Sequence, residues 1–440
     1  MSIQQISSVS RRPYWWQGVE LLENISHAEA ITLPSQADIV IVGAGFTGLS
    51  AGLALARAGR RVVICEAGEI GRGAATRNGG MCSGSLRYSH QDLTTQYGSE
   101  FADGLYAESQ QAREYQAEFI SSEGIECDFE MTGRFTAALS PSVFEAMKAE
   151  ADRLNALYDA GARIIYPHEQ HHELACHKRH GGLLRMDIGG YHPGKFFQGL
   201  VMRARDAGVQ VIPQTPVQAI TQLAGGYEVI TDRGSLTAEK VIVASNAYTG
   251  TKRPFGQFLR RRIVPVQSCI IVTEHLGRDV VEKLMPTLRM YGDTAHLHAY
   301  FRPTPDKARI LLGARSFDKT EPSSVSLRFL KNKLCDLFPS LHQTGIEYCW
   351  LGNVAFNRQQ LPRIFEHEGI YQAAGYSGSG TVWALWLGHQ IANRITRDNQ
   401  ATSLLIGKPS APIPFYDGTP WFMPAINGWF ALKDKVNSLR

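Results

Sequence analysis

The chain has 440 residues, 44% of them hydrophobic, so it can bury a sizeable core and should form two or more structural domains. The formal net charge is only +4 and basic residues are interspersed with acidic ones, which does not indicate a nucleic-acid partner. The seven cysteines are odd in number and contain no CxxC pair, so neither a disulfide framework nor a zinc ribbon is predicted.

The first 36 residues show no targeting pattern. They are polar, are interrupted by Pro13 and Pro34, and contain no continuous apolar stretch of the kind that a secretory signal carries. No part of the sequence reaches the ~18 apolar residues that a membrane helix requires. We therefore expect a cytoplasmic protein in a reducing compartment, without a membrane span.

A glycine-rich turn follows the first apolar run, 39–42. The turn consists of Gly43, Ala44, Gly45, Phe46, Thr47 and Gly48. In such a motif the first glycine permits the tight turn, the second lets the backbone approach a pyrophosphate, and the third lets the helix pack on the strand. Glu66 closes the second apolar run at the distance expected for a carboxylate that accepts hydrogen bonds from ribose hydroxyls. The pattern predicts a βαβ unit that binds an adenine dinucleotide.

The remaining elements follow in chain order. Helical patterning runs from about 100 to 153 with a strand-like interruption at 133–140, and a further helix is predicted at 194–207. Strands are predicted at 209–213, 226–231, 241–244, 263–273 and 308–313. The run 241–244 is continuously apolar, as is typical of a parallel strand buried on both faces. A second glycine turn, 375–381, opens a helix that ends near Arg394.

No linker or repeat divides the chain, so we expect interleaved domains. The predicted nucleotide domain consists of 36–100, 185–262 and 350–400, and the predicted substrate domain of 101–184 and 263–349. The segment 401–440 is expected to pack on the nucleotide domain, with Pro420 and Pro424 breaking any long amphipathic helix.

A second small-residue loop favours a flavin over NAD. It consists of Gly73, Ala74, Ala75, Thr76, Arg77, Asn78, Gly79, Gly80 and Met81. Its backbone amides suit a longer, ring-bearing cofactor that continues from the pyrophosphate. The late turn could direct a second helix N-terminus at a flavin ring, whose reduced form carries negative charge. Because no second GxGxxG occurs, no NADPH site is predicted.

With these loops the sequence resembles the D-amino acid oxidase superfamily of FAD-dependent oxidoreductases, and within it the γ-glutamylputrescine oxidase and glycine and sarcosine oxidase-like amine oxidases. Further matching pieces are 189–193, 244–248, 300–302, 361–362 and 375–380, in family order. The resemblance implies an α/β fold, in which a Rossmann-type FAD-binding domain is interleaved with an α+β substrate domain built on a large mixed β-sheet. It also implies tight, non-covalent FAD contacts from Ala67, Val217, Ala244, Asn246, Gly375, Gly378, Ser379, Gly380 and Thr381.

The family chemistry is oxidation of an amine by the flavin, which needs little acid–base apparatus. The resemblance implies oxidation of a primary or secondary amine to an imine by hydride transfer to flavin N5, with oxygen reoxidising the flavin and yielding peroxide. The candidate catalytic residues are Tyr300, Arg302 and Tyr376. Together with Trp383, the two tyrosines could form an aromatic pocket around an amine.

One departure from the family bears on the substrate. Amino acid oxidases of the superfamily commonly place a carboxylate-binding arginine a few residues before the Leu-Pro element, and Val354 occupies that position here. An apolar residue favours an amine substrate. Two alternatives stay open: an amino acid oxidase or dehydrogenase in which Arg302 anchors the carboxylate, with a quinone or carrier protein in place of oxygen, and a non-catalytic or tRNA-modifying FAD-binding protein.

Residues 168–172 contain the pattern HExxH, close to His177 and His180. A zinc protease needs this pattern on a helix buried in an apolar flank. Here it follows Pro167 in polar surroundings. We therefore expect a solvent-facing helix start and no metal site.

Overall fold

The computed structural model describes residues 9–23, 32–176, 180–249, 254–316, 318, 320–396 and 402–437. The strands are β1 (Gln36–Val42), β2 (Val62–Cys65), β3 (Met81–Cys82), β4 (Arg134–Ala137), β5 (Arg163–Ile165), β6 (Gly182–Arg185), β7 (Gly189–Gly190), β8 (Gln210–Ile212), β9 (Val217–Leu223), β10 (Gly226–Thr231), β11 (Gly234–Val243), β12 (Val264–Thr273), β13 (Met290–Asp293), β14 (Tyr300–Pro303), β15 (Ile310–Arg315), β16 (Ile346–Phe356), β17 (Arg363–His367) and β18 (Ile370–Ala374).

The α-helices are α1 (Glu20–Glu23), α2 (Phe46–Arg57), α3 (His90–Tyr97), α4 (Ser99–Ser122), α5 (Pro141–Tyr158), α6 (Pro193–Asp206), α7 (Gln257–Arg260), α8 (Arg278–Leu284), α9 (Ser324–Leu337), α10 (Gly380–Thr396) and α11 (Met423–Asn437). Short 3₁₀ helices cover Tyr14–Trp16, Ala74–Thr76, Gln170–His172, Asn246–Tyr248, Pro254–Gly256 and Pro339–Leu341.

The first large sheet carries the glycine turn. Its strand order is β17-β18-β11-β1-β2-β8, and the hairpin β9-β10 pairs on β11. The neighbours β11, β1, β2 and β8 run parallel, as does the pair β11-β18. The apolar run 241–244 was predicted as a buried parallel strand, and the first three of its residues end β11. Because the strands are parallel, the turn at 43–48 lies at the carboxyl edge of the sheet, where dinucleotides bind.

The second large sheet has the order β16-β12-β15-β14-β13-β4-β6-β5. All its pairings are antiparallel except β13 with β4. Buried aromatic rings of Tyr291, Phe301 and Phe338 pack on one face. The prediction of an α/β fold with a large mixed second sheet is confirmed. The assignment of sequence ranges to domains stays a prediction.

The middle of α10 crosses the first turn of α2 closely because glycines let the two backbones approach. A Cβ at Gly48 would lie 2.0 Å from the carbonyl oxygen of Gly43, so α2 rests directly on its preceding turn. A Cβ at Gly388 of α10 would lie 2.4 Å from the carbonyl oxygen of Thr47. The hydroxyl of Ser50 donates to the carbonyl of Leu385 over 2.6 Å and fixes this crossing.

Tryptophans hold the small-residue loop 73–81 in place. The indole of Trp15 donates to the carbonyl of Asn78 over 2.7 Å, and that of Trp16 donates to the Thr76 hydroxyl over 2.8 Å. From the second sheet, Trp350 donates to the carbonyl of Arg77 over 3.0 Å. The loop is therefore held from both sides, which fixes the direction of its backbone amides.

Several sequence predictions are confirmed within two or three residues: the helix α6, the strands β4, β8, β10, β12 and β15, and the end of α10. The starts of α4 and α5 also agree, but α4 ends at Ser122, well before the predicted interruption at 133, and α5 continues past 153 to Tyr158. The prediction for the end of the chain is wrong in one respect, because α11 forms despite Pro424. Proline is tolerated in the first turn of a helix, and Pro424 is the second residue of α11. The HExxH pattern lies in a turn followed by a 3₁₀ helix, and His177 falls outside the described residues.

We predict that Gly48→Ala lowers the free energy of unfolding by about 3 kcal/mol, because the new methyl would meet a backbone oxygen that cannot move aside. The matched control is Gly52→Ala on the same helix, whose methyl would lie 3.0 Å from the movable side-chain end of Ile64. There the gain in helix propensity, about 1 kcal/mol, offsets the crowding. Urea unfolding of both variants measures the difference, and equal stabilities would contradict this packing argument.

Candidate active site

Two adjoining cavities lie between the sheets. Cavity A, about 500 Å³, is lined by the glycine turn and the end of β2, and cavity B, about 520 Å³, is lined by the loop 73–81 and the second sheet. Both are lined by Ala74, Asn78, Asn353, Val354, Gly378 and Thr381. Together they form a continuous space that begins at the first glycine turn and ends against the second sheet.

Most of the residues predicted to hold FAD line this space. Cavity A has Gly43, Ala44, Gly45, Phe46, Thr47, Glu66, Ala67, Gly73, Ala75, Val217, Ala244, Asn246 and Gly380 in its wall, and cavity B has Arg77, Gly79, Met81 and Ser379, besides the shared residues.

Four of the residues predicted to hold FAD line neither cavity. Their contacts show that they hold the turns and loops of the cavity wall in place. Gly48 packs α2 on the turn, and Thr76 accepts from the indole of Trp16. The N–H of Gly80 donates a hydrogen bond to the side-chain oxygen of Asn78 over 2.8 Å, which fixes the end of the loop. The N–H of Gly375 donates to the side-chain oxygen of Asn246 over 3.0 Å.

The geometry at Gly45 fits a dinucleotide. Gly45 caps α2 in an extended conformation that any residue can adopt, yet a Cβ built on it would meet no atom within 4 Å. The glycine is therefore not required by the protein itself, and what it leaves open is the space in front of a helix N-terminus. The unpaired N–H groups of that first helical turn suit a diphosphate.

The carboxylate of Glu66 stands at the ribose side of cavity A. It accepts the N–H of Ala44 over 2.8 Å and that of Gly68 over 3.2 Å. These bonds hold both oxygens in place, and each oxygen keeps a further lone pair for a hydroxyl donor.

The start of α10 borders both cavities. Gly378 has φ of +105°, and a Cβ on it would again meet nothing within 4 Å. The hydroxyl of Thr381 donates to the carbonyl of Met81 over 2.7 Å, and the indole of Trp383 donates to the carbonyl of Gly84 over 3.0 Å. These bonds tie the start of α10 to residues 81–84, at the end of the loop 73–81 and just after it. The free N–H groups of the helix start therefore border the same space as the amides of that loop.

Tyr300 is the predicted catalytic residue that lines cavity B. Its ring lies against two glycines, since a Cβ would approach it to 2.8 Å at Gly79 and to 2.3 Å at Gly313. Its hydroxyl lies 3.0 Å from the Ser268 hydroxyl. Burial raises the pKa of Tyr300, so the phenol stays protonated at neutral pH.

Arg302 lies outside both cavities. Its side chain is buried, and Nη1 donates to the carbonyls of Gly80 and Tyr191 over 2.7 Å and 3.0 Å. It therefore holds the loop 73–81 to β14, and this geometry does not support a carboxylate anchor.

Tyr376 lines cavity A, where its hydroxyl lies 2.5 Å from that of Thr47, and Trp383 lines neither cavity. An aromatic pocket of the three predicted rings does not form.

Sequence reasoning missed three arginines on the far wall of cavity B. Arg87, Arg134 and Arg315 come from separate segments and lie in this wall with His298, a histidine that the sequence marks as able to touch the pocket. Burial, followed by the charges of the arginines and Lys333, lowers the pKa of His298 to about 3. No local motif connects these residues, so no sequence signal could have joined them.

Among the described residues, no group of three or more side chains could hold a metal ion, and no helix is long and apolar enough to cross a bilayer.

We predict that Gly45→Val folds normally but does not retain the dinucleotide, because the added Cβ would meet no protein atom within 4 Å and the side chain would enter the space in front of α2. The measurement is the visible absorbance of the purified protein relative to its protein absorbance. The control is Gly225→Val in a distant hairpin turn, where a Cβ also meets nothing within 4 Å. A Gly45→Val protein with full cofactor content would contradict the placement of the diphosphate.

Comparison with known proteins agrees with this geometry. The family model of FAD dependent oxidoreductases (DAO) matches residues 38–394. The chain is 30% identical over 380 residues to gamma-glutamylputrescine oxidoreductase of Escherichia coli (strain K12), covering 86% of this chain and 88% of the relative. It is also 30% identical over 388 residues to the probable oxidoreductase OrdL of Haemophilus influenzae, covering 86% and 87%.

Among solved structures, glycine oxidase from Geobacillus kaustophilus has the same fold, with a TM-score of 0.71 at 21% identity over 84% of this chain and 97% of that chain. Taken with the cradle for a dinucleotide at the sheet edge, the family match establishes the cofactor as FAD. The chain belongs to the DAO family of FAD dependent oxidoreductases.

Proposed function

We propose that this oxidoreductase oxidises a primary or secondary amine at the carbon beside the nitrogen, giving an imine that water hydrolyses, with oxygen as the final electron acceptor. FAD, when bound, supplies the acceptor for the hydride and passes the electrons on to oxygen as peroxide. The residues in cavity A would hold its dinucleotide part, and the loop 73–81 with the start of α10 would hold its ring.

The observation that carries the proposal is the position of Val354. It lines both cavities, at the junction between the cofactor side and the second sheet. An apolar side chain at this junction contacts carbon rather than a carboxylate. Because Arg302 is bonded to backbone carbonyls, its guanidinium does not replace the missing clamp. A substrate carbon flanked by nitrogen, without an adjacent carboxylate, suits this environment best.

Tyr300 and Ser268 supply the polar groups near the junction. Their hydroxyls lie 3.0 Å apart, and the pKa of Tyr300 is raised by burial, so both groups are neutral. A neutral hydroxyl pair can accept a hydrogen bond from an amine N–H and so orient the neighbouring C–H bond. Neither hydroxyl is basic enough to take a proton from an ammonium group. The amine therefore has to bind in its neutral form.

The names of the relatives are consistent with an amine substrate. One relative is named for γ-glutamylputrescine and the structural neighbour for glycine, both of which carry an amine nitrogen. The amino acid alternative through Arg302 is disfavoured by the carbonyl bonds of that residue.

The test is anaerobic mixing of the purified flavoprotein with alkylamines, N-methylated amines and α-amino acids, followed by the loss of visible flavin absorbance. We expect primary or secondary amines that lack an α-carboxylate to reduce the flavin. Reduction by α-amino acids alone would overturn the proposal in favour of the amino acid alternative. Readmission of air should restore the absorbance and yield peroxide, and a requirement for a quinone would contradict the oxygen assignment.

We further predict that His298 does not titrate during turnover. Because its pKa is lowered to about 3, the imidazole is neutral from about pH 5 to about pH 9 and gains a proton only in stronger acid. His298→Asn should therefore leave the pH profile of flavin reduction unshifted relative to wild type and to the exposed control His275→Asn. An acid limb near neutrality that disappears only in His298→Asn would show that His298 titrates.

A further inference from the structure

We propose that the C-terminal segment binds the surface of an anionic lipid bilayer through four exposed side chains: Phe415, Trp421, Ile426 and Trp429. These four residues are called the aromatic face below. The helix α11 would lie along the bilayer surface without crossing it. The inference concerns an interaction surface, and it does not depend on the reaction proposed above.

The aromatic face contains the three most exposed aromatic side chains of the described residues. Phe415 is 95% exposed, Trp421 is 66% exposed and Trp429 is 55% exposed. The other five tryptophans of the chain are buried or half-buried. Exposed large apolar side chains that cluster in one segment are typical of an interaction surface, and tryptophan is enriched at such surfaces.

The members of the aromatic face are neighbours. The indole N–H of Trp421 donates to the carbonyl of Phe415 over 3.1 Å. Ile426 and Trp429 are three residues apart in α11, so they lie on the same side of the helix. Lys433 follows one turn later, and its ammonium lies 5.3 Å from the centre of the Trp429 ring. The exposed side of α11 therefore combines apolar side chains with a basic group.

Other side chains already attach the segment to the protein. The ring of Phe430 stacks on that of His296, with their centres 5.5 Å apart. Phe422 and Met423 pack with the buried Tyr416 on the first residues of β12. The aromatic face is therefore not needed for this attachment, and its side chains are available to a partner.

Phe415 is unfavourable in the protein alone. Its φ is +54°, in the left-handed region that a bulky side chain rarely adopts. Because its side chain is almost fully exposed, no packing within the protein offsets this backbone strain. Strained residues of this kind are found at functional sites. Insertion of the ring into lipid would bury it and offset the strain.

Basic residues lie beside the segment that carries Phe415. The carbonyl of Arg261 accepts the N–H of Ile413 over 2.8 Å. A Cβ on Gly418 would lie 2.2 Å from Cγ of Arg260. The backbone of Arg261 is thus bonded to the segment, whereas the residue itself is exposed to solvent.

The charge around the aromatic face is mainly positive. Residues 421–440 contain three basic side chains and one acidic side chain. Asp417 is a carboxylate near Phe415, and it accepts the N–H of Thr419 over 3.0 Å within the same turn. Aromatic rings flanked by lysine and arginine suit an anionic bilayer, because the rings enter the headgroup layer while the basic groups are attracted to the negative surface.

The same charges disfavour a second copy of the chain as the partner. In a two-fold contact each patch meets itself, so Lys433 and Arg261 would approach groups of their own sign. An anionic bilayer instead offers the opposite charge. It also offers an interfacial layer in which tryptophan rings are favoured. We therefore assign the aromatic face to lipid.

The first experiment is co-sedimentation of the purified holoenzyme with vesicles of phosphatidylcholine alone or of phosphatidylcholine mixed with phosphatidylglycerol. We expect binding to the mixed vesicles to be at least about tenfold tighter, and to weaken when salt screens the attraction. Absence of binding to the mixed vesicles would overturn the proposal. Binding that responds neither to phosphatidylglycerol nor to salt would also overturn it.

The second experiment compares variants in the same assay. Trp429→Ser and the double variant Phe415→Ser/Trp421→Ser should each weaken binding about tenfold or more, and Arg261→Gln and Lys433→Gln about fivefold each. The matched control is Val325→Ser, which removes an exposed apolar side chain at the start of α9 and should bind as the wild type does. Flavin content and the rate of flavin reduction without vesicles should not change. Equal binding by the wild type and the tryptophan variants contradicts the assignment.

A measurement on the wild type keeps the test independent of the variants. Phosphatidylglycerol with brominated acyl chains should quench part of the tryptophan emission, because Trp421 and Trp429 would enter the bilayer surface while the other tryptophans stay inside the protein. Vesicle binding without quenching would show that another surface is used.

Sedimentation equilibrium without vesicles distinguishes lipid from a second copy. The wild type and Trp429→Ser should have the same molecular mass in solution. A wild-type dimer that Trp429→Ser dissociates would assign the aromatic face to a second copy and overturn the lipid proposal. None of these outcomes changes the test of amine oxidation, which measures flavin reduction in the absence of vesicles.

Discussion

The backbone contact between the start of α2 and the middle of α10 is the constraint on which the cofactor site depends. Gly388 of α10 rests on the carbonyl of Thr47 in α2, and Gly48 rests on the turn before it. Any side chain at either glycine would push one helix away. Since both N-termini border the same continuous space, the spacing between the diphosphate end and the ring end of the cofactor site is set by backbone packing, which is stiffer than side-chain packing.

The two walls of cavity B differ in electrostatic character. The wall near cavity A presents backbone amides, the apolar Val354 and a neutral pair of hydroxyls. The opposite wall presents arginines around His298. A ligand that spans the cavity therefore meets a neutral environment on the side of cavity A and arginine side chains on the opposite side.

Arg302 shows how a residue can match a family pattern and still have another task. The strand 300–302 brings Tyr300 to the cavity, and because side chains alternate along a strand, Arg302 shares its face. Arg302 lies two residues further along the strand, however, and is covered by Gly80. There its Nη1 donates hydrogen bonds to the carbonyls of Gly80 and Tyr191. Sequence order places the two residues side by side, whereas the packing of the loop 73–81 separates the cavity from the support behind it.

The sequence by itself determined the βαβ unit, most helices and strands, the FAD cofactor and most of the loops that line the two cavities. These follow from local rules: a glycine turn must sit between a buried strand and a helix, and Glu66 must lie at the end of the next strand. Only the tertiary structure decided which polar groups line cavity B. Arg134 and Arg315 come together through β-sheet pairing across long sequence separations, and Arg87 joins them from the stretch between β3 and α3. The register of those pairings is a property of the folded sheet rather than of any local pattern.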